Sequence, residues 1–266
     1  MIVETAKKLD RFFGAFAGAA KALLLLDYDG TLAPFRVDRF KARPWAGVRD
    51  LLTLIQNQGP TRIVVITGRP AAEIGPLLGL AVPLEVWGLH GAERLHADGR
   101  RQLEKPPPAT QAKLNELSAQ LRRDSLGGLF EAKPNSATMH WRGIPPGKAK
   151  AIEKRTRALF EPLAHLDGLT LLEFESGLEL RAGREKGAAV RTLLDEMKDS
   201  IPLPAAFLGD DITDEAAFLT MKGHGLTGLV RRERRDTAAD IWLRPPEELR
   251  IFLKMWLRAC RTVGGD

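Results

Sequence analysis

The chain has 266 residues, 44% of them hydrophobic, enough for one large domain or two modest ones with cores of their own. Forty Lys and Arg against 34 Asp and Glu give a formal charge of +6, spread along the chain apart from Arg231-Arg232-Glu233-Arg234-Arg235. That run reads as a solvated loop, and with no aromatic residues interleaved it does not predict a nucleic-acid partner.

A single cysteine, Cys260, excludes an internal disulfide and favours a reducing, cytoplasmic setting. No apolar run reaches membrane-spanning length without Lys, Arg or Asp inside it, so no membrane partner is expected. At the N-terminus, Lys7-Lys8, Arg11, the run Phe12 to Ala20 and Ala17-Gly18-Ala19 weakly imitate a signal peptide. The same stretch sets Leu9, Phe12, Phe13, Phe16 and Ala20 at helical spacing, and an amphipathic helix is the preferred reading. Cleavage after it would leave the next strand at the new terminus without the helix that covers it.

The next segment carries most of the information. Leu23-Leu24-Leu25-Leu26 reads as a buried parallel strand, and it breaks into Asp27-Tyr28-Asp29-Gly30-Thr31-Leu32-Ala33-Pro34. Open α/β sheets bind ligands at the carboxyl ends of their strands. Two acids placed there suit a hard cation and a phosphorylated substrate. Asp27, directly at the strand end, suits a nucleophile, and Asp29, on the loop, can move protons. A calcium loop is the bland alternative, but Phe40 stands near the position where such a loop would carry Glu.

Further apolar strands are predicted at 62–67, 84–87 and 205–209, with helices at 45–58 and 71–79 between them. This alternation predicts a doubly wound parallel sheet. The middle differs. Strands at 92–97, 129–133, 137–143 and 169–182, with helices at 111–123 and 148–163, predict a smaller α+β module with a mostly antiparallel sheet. It is placed at 92–182, inserted into a core formed by 1–91 and 183–266, with glycine-containing linkers near 91–93 and 181–184. The core resumes with helix 186–198, the strand at 205–209, helix 214–221 and a last helix after Pro245-Pro246.

Three further positions fit the same chemistry. Thr67 ends Ile63-Val64-Val65-Ile66, where its hydroxyl can hold a phosphoryl group. Lys186 opens a predicted helix, where the dipole gives an ammonium nothing, so an anionic partner explains it better. Asp210-Asp211 follow an apolar strand and repel each other without a cation. Thr213 or Asp214 can cap the following helix, which leaves Asp210 and Asp211 surplus. None of the five histidines pairs with another ligand at zinc spacing.

These strings resemble the motifs of the haloacid dehalogenase superfamily, and LDYDGTLAP with Phe207-Leu208-Gly209-Asp210-Asp211-Ile212-Thr213-Asp214-Glu215 resembles its trehalose-6-phosphate phosphatases in particular. The resemblance covers about residues 20 to 255. It implies a Rossmann-like core with an inserted α+β cap that closes over it and excludes water. It also implies a phosphatase acting on trehalose 6-phosphate through an aspartyl-phosphate on Asp27, with Asp29, Thr67 and Lys186 also catalytic. Mg²⁺ is implied on the Asp27 carboxylate, the Asp29 backbone carbonyl and Asp210, with Asp211 and Asp214 in or near its shell.

Ile66-Thr67-Gly68-Arg69-Pro70 resembles the second motif, which implies Gly68 and Arg69 at the substrate, and His90 lies in a loop resembling one near the family's active site. Glu131, Lys133, Ser136, His140 and Arg142 resemble a family sugar-binding pattern, with Ala132 and Trp141 departing from it beside the matching positions. Strand parity puts Glu131 and Lys133 on one face, and groups Ser136, His140 and Arg142. Glu179 aligns with a family sugar-binding Glu. Another capped sugar-phosphate phosphatase, acting on a mannosyl- or glucosyl-phosphoglycerate or on sucrose phosphate, is the alternative. A degenerate, non-catalytic sensor would be expected to lose Asp27, Asp29, Lys186 or Asp210, and all are present. The partner implied is a small molecule, and a synthase partner stays open.

Overall fold

The computed structural model describes residues 2–16, 19–59, 61–123, 127–166, 168–174 and 176–263. Ala17 and Gly18, part of the apparent signal-peptide pattern, lie outside the described residues. The chain divides into two compact units, Met1–Gln102 with Glu185–Asp266, and Leu103–Arg184.

The first unit contains α1 (Ile2–Gly14), β1 (Ala22–Leu26), α2 (Val48–Asn57), β2 (Thr61–Ile66), α3 (Ile74–Leu78), β3 (Glu85–Gly88), β4 (Glu93–Leu95) and all but the last residue of β5 (Arg101–Leu103). The second contains α4 (Pro108–Arg123), β6 (Phe130–Lys133), β7 (Ser136–His140), α5 (Pro146–Phe160), β8 (Leu169–Phe174) and β9 (Gly177–Ala182). The first then resumes with α6 (Lys186–Glu196), β10 (Ala205–Gly209), α7 (Glu215–Met221), β11 (Leu226–Val230), β12 (Ile241–Leu243) and α8 (Glu247–Val263).

The core sheet runs β12-β11-β10-β1-β2-β3-β4-β5. The pairs from β12 to β3 are parallel, and β4 pairs antiparallel with β3. A strand buried on both faces needs no polar alternation, and β1 is apolar at every position, Ala22 followed by four Leu. Leu24 and Leu26 join one layer with Leu52 and Ile55 of α2 and with Phe252, Leu253 and Trp256 of α8. Leu23 and Leu25 join the other, with Val190 and Leu193 of α6 and Phe218 of α7. The N-terminal aromatics close the first layer. Phe16 sits edge-on to Trp256 at 4.9 Å, and Phe12 lies 5.8 Å from the same ring. The Trp256 indole N–H donates to Thr61 Oγ1 at 3.0 Å, so its polar atom is satisfied in the core.

The segment 92–97 corrects the predicted insert. β4 belongs to the core sheet, paired Val86↔Leu95 and Gly88↔Glu93, and the second unit begins at Leu103. The buried Glu93 carboxylate explains the placement, because its Oε2 accepts the Ala71 backbone N–H at 2.7 Å. The sequence reading also overlooks β11 and β12, one interrupted by Gly228 and the other three residues long.

The second unit carries a four-stranded antiparallel sheet, order β6-β7-β9-β8. Strand alternation sorts its side chains. Ala137, Met139, Leu178 and Leu180 pack with Leu114, Leu117 and Leu121 of α4 and Phe160 of α5. Ser136, Thr138, His140 and Glu179 fall on the opposite parity.

Candidate active site at the carboxyl edge of the core sheet

β1 and β10 run side by side with Leu26 level with Leu208, so the acids that follow both strands emerge at one edge. Carboxylate oxygens of Asp27, Asp210 and Asp214 lie within 4.8 Å of one another. Lys186, the first residue of α6, joins them: its Nζ donates to Asp27 Oδ1 at 2.5 Å and to Asp214 Oδ1 at 2.6 Å. The other Asp214 oxygen accepts the backbone N–H groups of Asp210 and Asp211, each at 3.0 Å. Asp214 is fully buried with both oxygens engaged, so it orients Lys186 and ties down the Asp210 loop. Asp211 is not surplus, as the sequence suggests. It caps the turn Ile212–Asp214 by accepting from Ile212 N at 2.8 Å, and Asp214 completes a reciprocal capping box.

The charges do not balance among the protein groups. Burial pushes the Asp27 carboxyl up to about 7; Lys186 pulls it down, while Asp214 and Asp29 add to the rise. Burial likewise raises Asp210 well above the carboxylate range, reinforced by the charges of Asp27 and Asp214. Burial opposes the Lys186 ammonium, but Asp214 and Asp27 outweigh it and hold the group charged. Asp27 Oδ2 is buried and has no hydrogen-bond partner among the described residues. An orphaned carboxylate oxygen among three acids and one ammonium fits a hard divalent cation, and the donor set is all oxygen. Gly30 keeps the space open. With φ at +84°, a Cβ there would be strained and would fall 2.0 Å from Asp210 Oδ2.

Asp29 is held differently. Arg69 grips it with a two-pronged fork, Nε to Oδ2 and Nη2 to Oδ1, both at 2.6 Å. The guanidinium also donates from Nη1 to the Arg39 carbonyl at 2.9 Å and lies 5.6 Å from the Tyr28 ring centre. Thr67 is buried, and its Oγ1 accepts the Arg69 backbone N–H at 3.2 Å. His90 stands on the neighbouring turn. Its N–H donates to Thr67 O and that of Leu89 to Arg69 O, each at 2.9 Å. Both residues have positive φ, 50° for Leu89 and 56° for His90, an uncommon strain for non-glycine residues. The His90 ring covers Gly68, where an added Cβ would lie 2.5 Å from Nε2. Thr67, Gly68, Arg69 and His90 therefore form one cross-linked loop pair.

The second unit gathers its own polar group. Glu179 is buried, and its Oε1 accepts from Ser136 Oγ at 2.6 Å, Thr138 Oγ1 at 3.1 Å and Lys133 Nζ at 3.4 Å. Glu131 Oε2 and His140 Nε2 are 3.0 Å apart. Sequence reasoning misses Thr138, although the parity that groups Ser136 with His140 includes it. Arg142 lies beyond the end of β7, so strand parity does not reach it.

The family model described as trehalose-phosphatase matches residues 25–239. A trehalose-phosphate phosphatase of Mycobacterium marinum is 30% identical over 254 residues, covering 91% of this chain and 63% of that protein. A bifunctional trehalose-6-phosphate synthase/phosphatase of Thermoproteus tenax is 32% identical over 213 residues, covering 79% of this chain and 28% of that protein. The chain thus spans about 63% of the length of the Mycobacterium marinum relative. In fold it is similar to the C-terminal domain of trehalose-6-phosphate phosphatase from C. albicans, with a TM-score of 0.79 at 21% identity, covering 95% of this chain and 96% of that one. Among the described residues no helix is long and apolar enough to cross a membrane.

Proposed function

This chain belongs to the trehalose-phosphatase family, and we propose that it hydrolyses trehalose 6-phosphate to trehalose and inorganic phosphate. The observation that carries the reading is the buried carboxylate cluster bridged by Lys186, with one Asp27 oxygen left without a partner among the described residues. Asp27 supplies the attacking oxygen. A bond forms from it to phosphorus as the bond to the sugar oxygen breaks, giving an aspartyl-phosphate. Lys186 holds Asp27 in place and offsets negative charge on the phosphoryl oxygens. Asp29 protonates the departing sugar oxygen, then takes a proton from the water that releases phosphate. Arg69 sets the position of Asp29. Thr67 holds a phosphoryl oxygen.

Mg²⁺ fits the oxygen donors of Asp27 and Asp210 with the Asp29 backbone carbonyl, and when bound it supplies positive charge to the phosphoryl group. Asp211 and Asp214, engaged by backbone and Lys186, support that site. Glu131, Lys133, His140, Arg142 and Glu179 recognise sugar hydroxyls, with Ser136 and Thr138 orienting Glu179.

The test is phosphate release from trehalose 6-phosphate beside sucrose phosphate and mannosyl- and glucosyl-phosphoglycerate, with and without EDTA. The expected result is a clear preference for trehalose 6-phosphate that EDTA abolishes. Asp27→Asn removes the attacking charge at constant size, and turnover should fall at least about a thousandfold, roughly 4 kcal/mol of barrier. Near-normal turnover in a folded Asp27→Asn variant, or a preference for another substrate, would sink the assignment.

A further inference from the structure

Glu93, on β4, is only 1% exposed, and a buried acid is costly unless its oxygens are engaged. Both are. Oε2 accepts the Ala71 backbone N–H at 2.7 Å, and Oε1 accepts Arg101 Nε at 2.6 Å. The two partners differ. The Arg101 side chain is 55% exposed, so water can replace Glu93 there. Ala71 is buried, and Pro70, which precedes the short turn Ala71–Glu73, has no side-chain oxygen to cap it. A carboxylate 22 residues further along the chain fills that place.

The capped turn continues directly from Arg69. Gly88 stands level with Glu93 in the β3–β4 pair. A Cβ on Gly88 would fall 2.5 Å from Ala71 N, 2.7 Å from Arg69 O and 2.8 Å from Glu93 Oε2, so turn and carboxylate crowd the same point of the strand. Arg69 O accepts from Leu89 N at 2.9 Å, and the chain is thus pinned on either side of Pro70. The turn also carries Glu73. Its Oε2 stands 3.6 Å from Arg69 Nη1, and its Oε1 accepts from Arg39 Nη2 at 2.6 Å. Both the backbone after Arg69 and a charge beside its guanidinium therefore depend on where this turn sits. Moving the turn moves the fork that holds Asp29.

We propose that Glu93 is a positioning residue for the reaction, pinning the 69–73 turn so that the Arg69 fork holds Asp29 in place. It acts through the reach of its acceptor oxygen and not through its charge. This rests on the phosphatase reading above, in which Asp29 moves the protons.

The test sets reach against charge. Glu93→Gln keeps an oxygen at the right length for the Ala71 N–H and gives up only the half-exposed Arg101. Glu93→Asp keeps the charge but draws the carboxylate back by one methylene. On trehalose 6-phosphate with Mg²⁺, Glu93→Asp should lower kcat about ten- to a hundredfold, the cost of a misplaced catalytic group. Its KM should change less than about twofold. Glu93→Gln and Arg101→Ala should each keep kcat within about threefold. In an Arg69→Lys background the fork is already lost, and Glu93→Asp should then cost less than about threefold more. Amide exchange at Ala71 reads the same bond without catalysis, and in the unaltered chain and Glu93→Gln that N–H should be protected. This measurement decides the matter if Glu93→Asp does not fold. Glu93→Gln losing as much as Glu93→Asp, a loss confined to KM, or full additivity with Arg69→Lys would overturn the inference. So would an Ala71 N–H that exchanges like an exposed amide in the unaltered chain. An inactive unaltered chain with a protected Ala71 N–H would fail the activity reading and leave the clamp standing. An active one showing any of the overturning patterns would fail the Glu93 inference alone.

Discussion

Asp210→Asn should make the protein more stable in EDTA while abolishing the proposed phosphatase activity. Asp210 is buried, and among the described residues no donor reaches its carboxylate. Its carboxylate lies within 4.8 Å of cluster oxygens of Asp27 and Asp214, and their charges act on it against that of the Lys186 ammonium. At that separation and an effective dielectric of about 20, one carboxylate pair repels by about 3 kcal/mol. Proton uptake already relieves part of this, since burial and its neighbours raise Asp210 well above the carboxylate range. A net gain of about 1–3 kcal/mol remains for a neutral isostere. Thermal unfolding in EDTA should show a higher Tm for the variant, by about 2–4 °C for each kcal/mol. Adding Mg²⁺ should raise the unaltered chain by about 2.7 kcal/mol at a hundred times its Kd and leave the variant almost unmoved. A variant less stable than the unaltered chain in EDTA, or an equal response of both to Mg²⁺, would refute the picture of an acidic site built to receive a cation.

Three other substitutions probe how side chains are held. Arg69→Lys keeps the charge but not the fork on Asp29. Its kcat should fall about ten- to a hundredfold with KM little changed, and a loss confined to KM would instead make Arg69 a substrate contact. In the second unit, Lys133→Ala and Glu179→Gln each remove charged hydrogen bonds worth roughly 1.5–3 kcal/mol. kcat/KM for trehalose 6-phosphate should therefore drop about ten- to a hundredfold while a small aryl phosphate changes far less. Equal losses on the two substrates would assign these residues to folding.

Much of the core is legible in the sequence because its signals are local. The run Leu23–Leu26 is apolar at every position, as a strand covered on both faces requires, and it ends in acids at the edge where such sheets bind ligands. A lysine at a helix start and paired acids after a strand are each uncomfortable alone, so each points to an unseen partner. Lys186 proves to be the shared partner of Asp27 and Asp214.

Tertiary structure decided how those groups divide the work. Asp210, Asp211 and Asp214 are similar acids in sequence, yet one faces like charges, one caps a turn and one anchors Lys186. That division depends on backbone N–H directions and on a helix 28 residues upstream, which no local pattern records. The same holds for Arg69, whose fork on Asp29 spans 40 residues, and for Thr138, which matters only because β9 brings Glu179 beside it. The segment 93–95 reads as a strand from its sequence, but strand character does not name its sheet. The pairing with β3 and the buried acceptor of Glu93 place it in the core, because a strand's neighbours are set by long-range hydrogen bonds and not by its own residues.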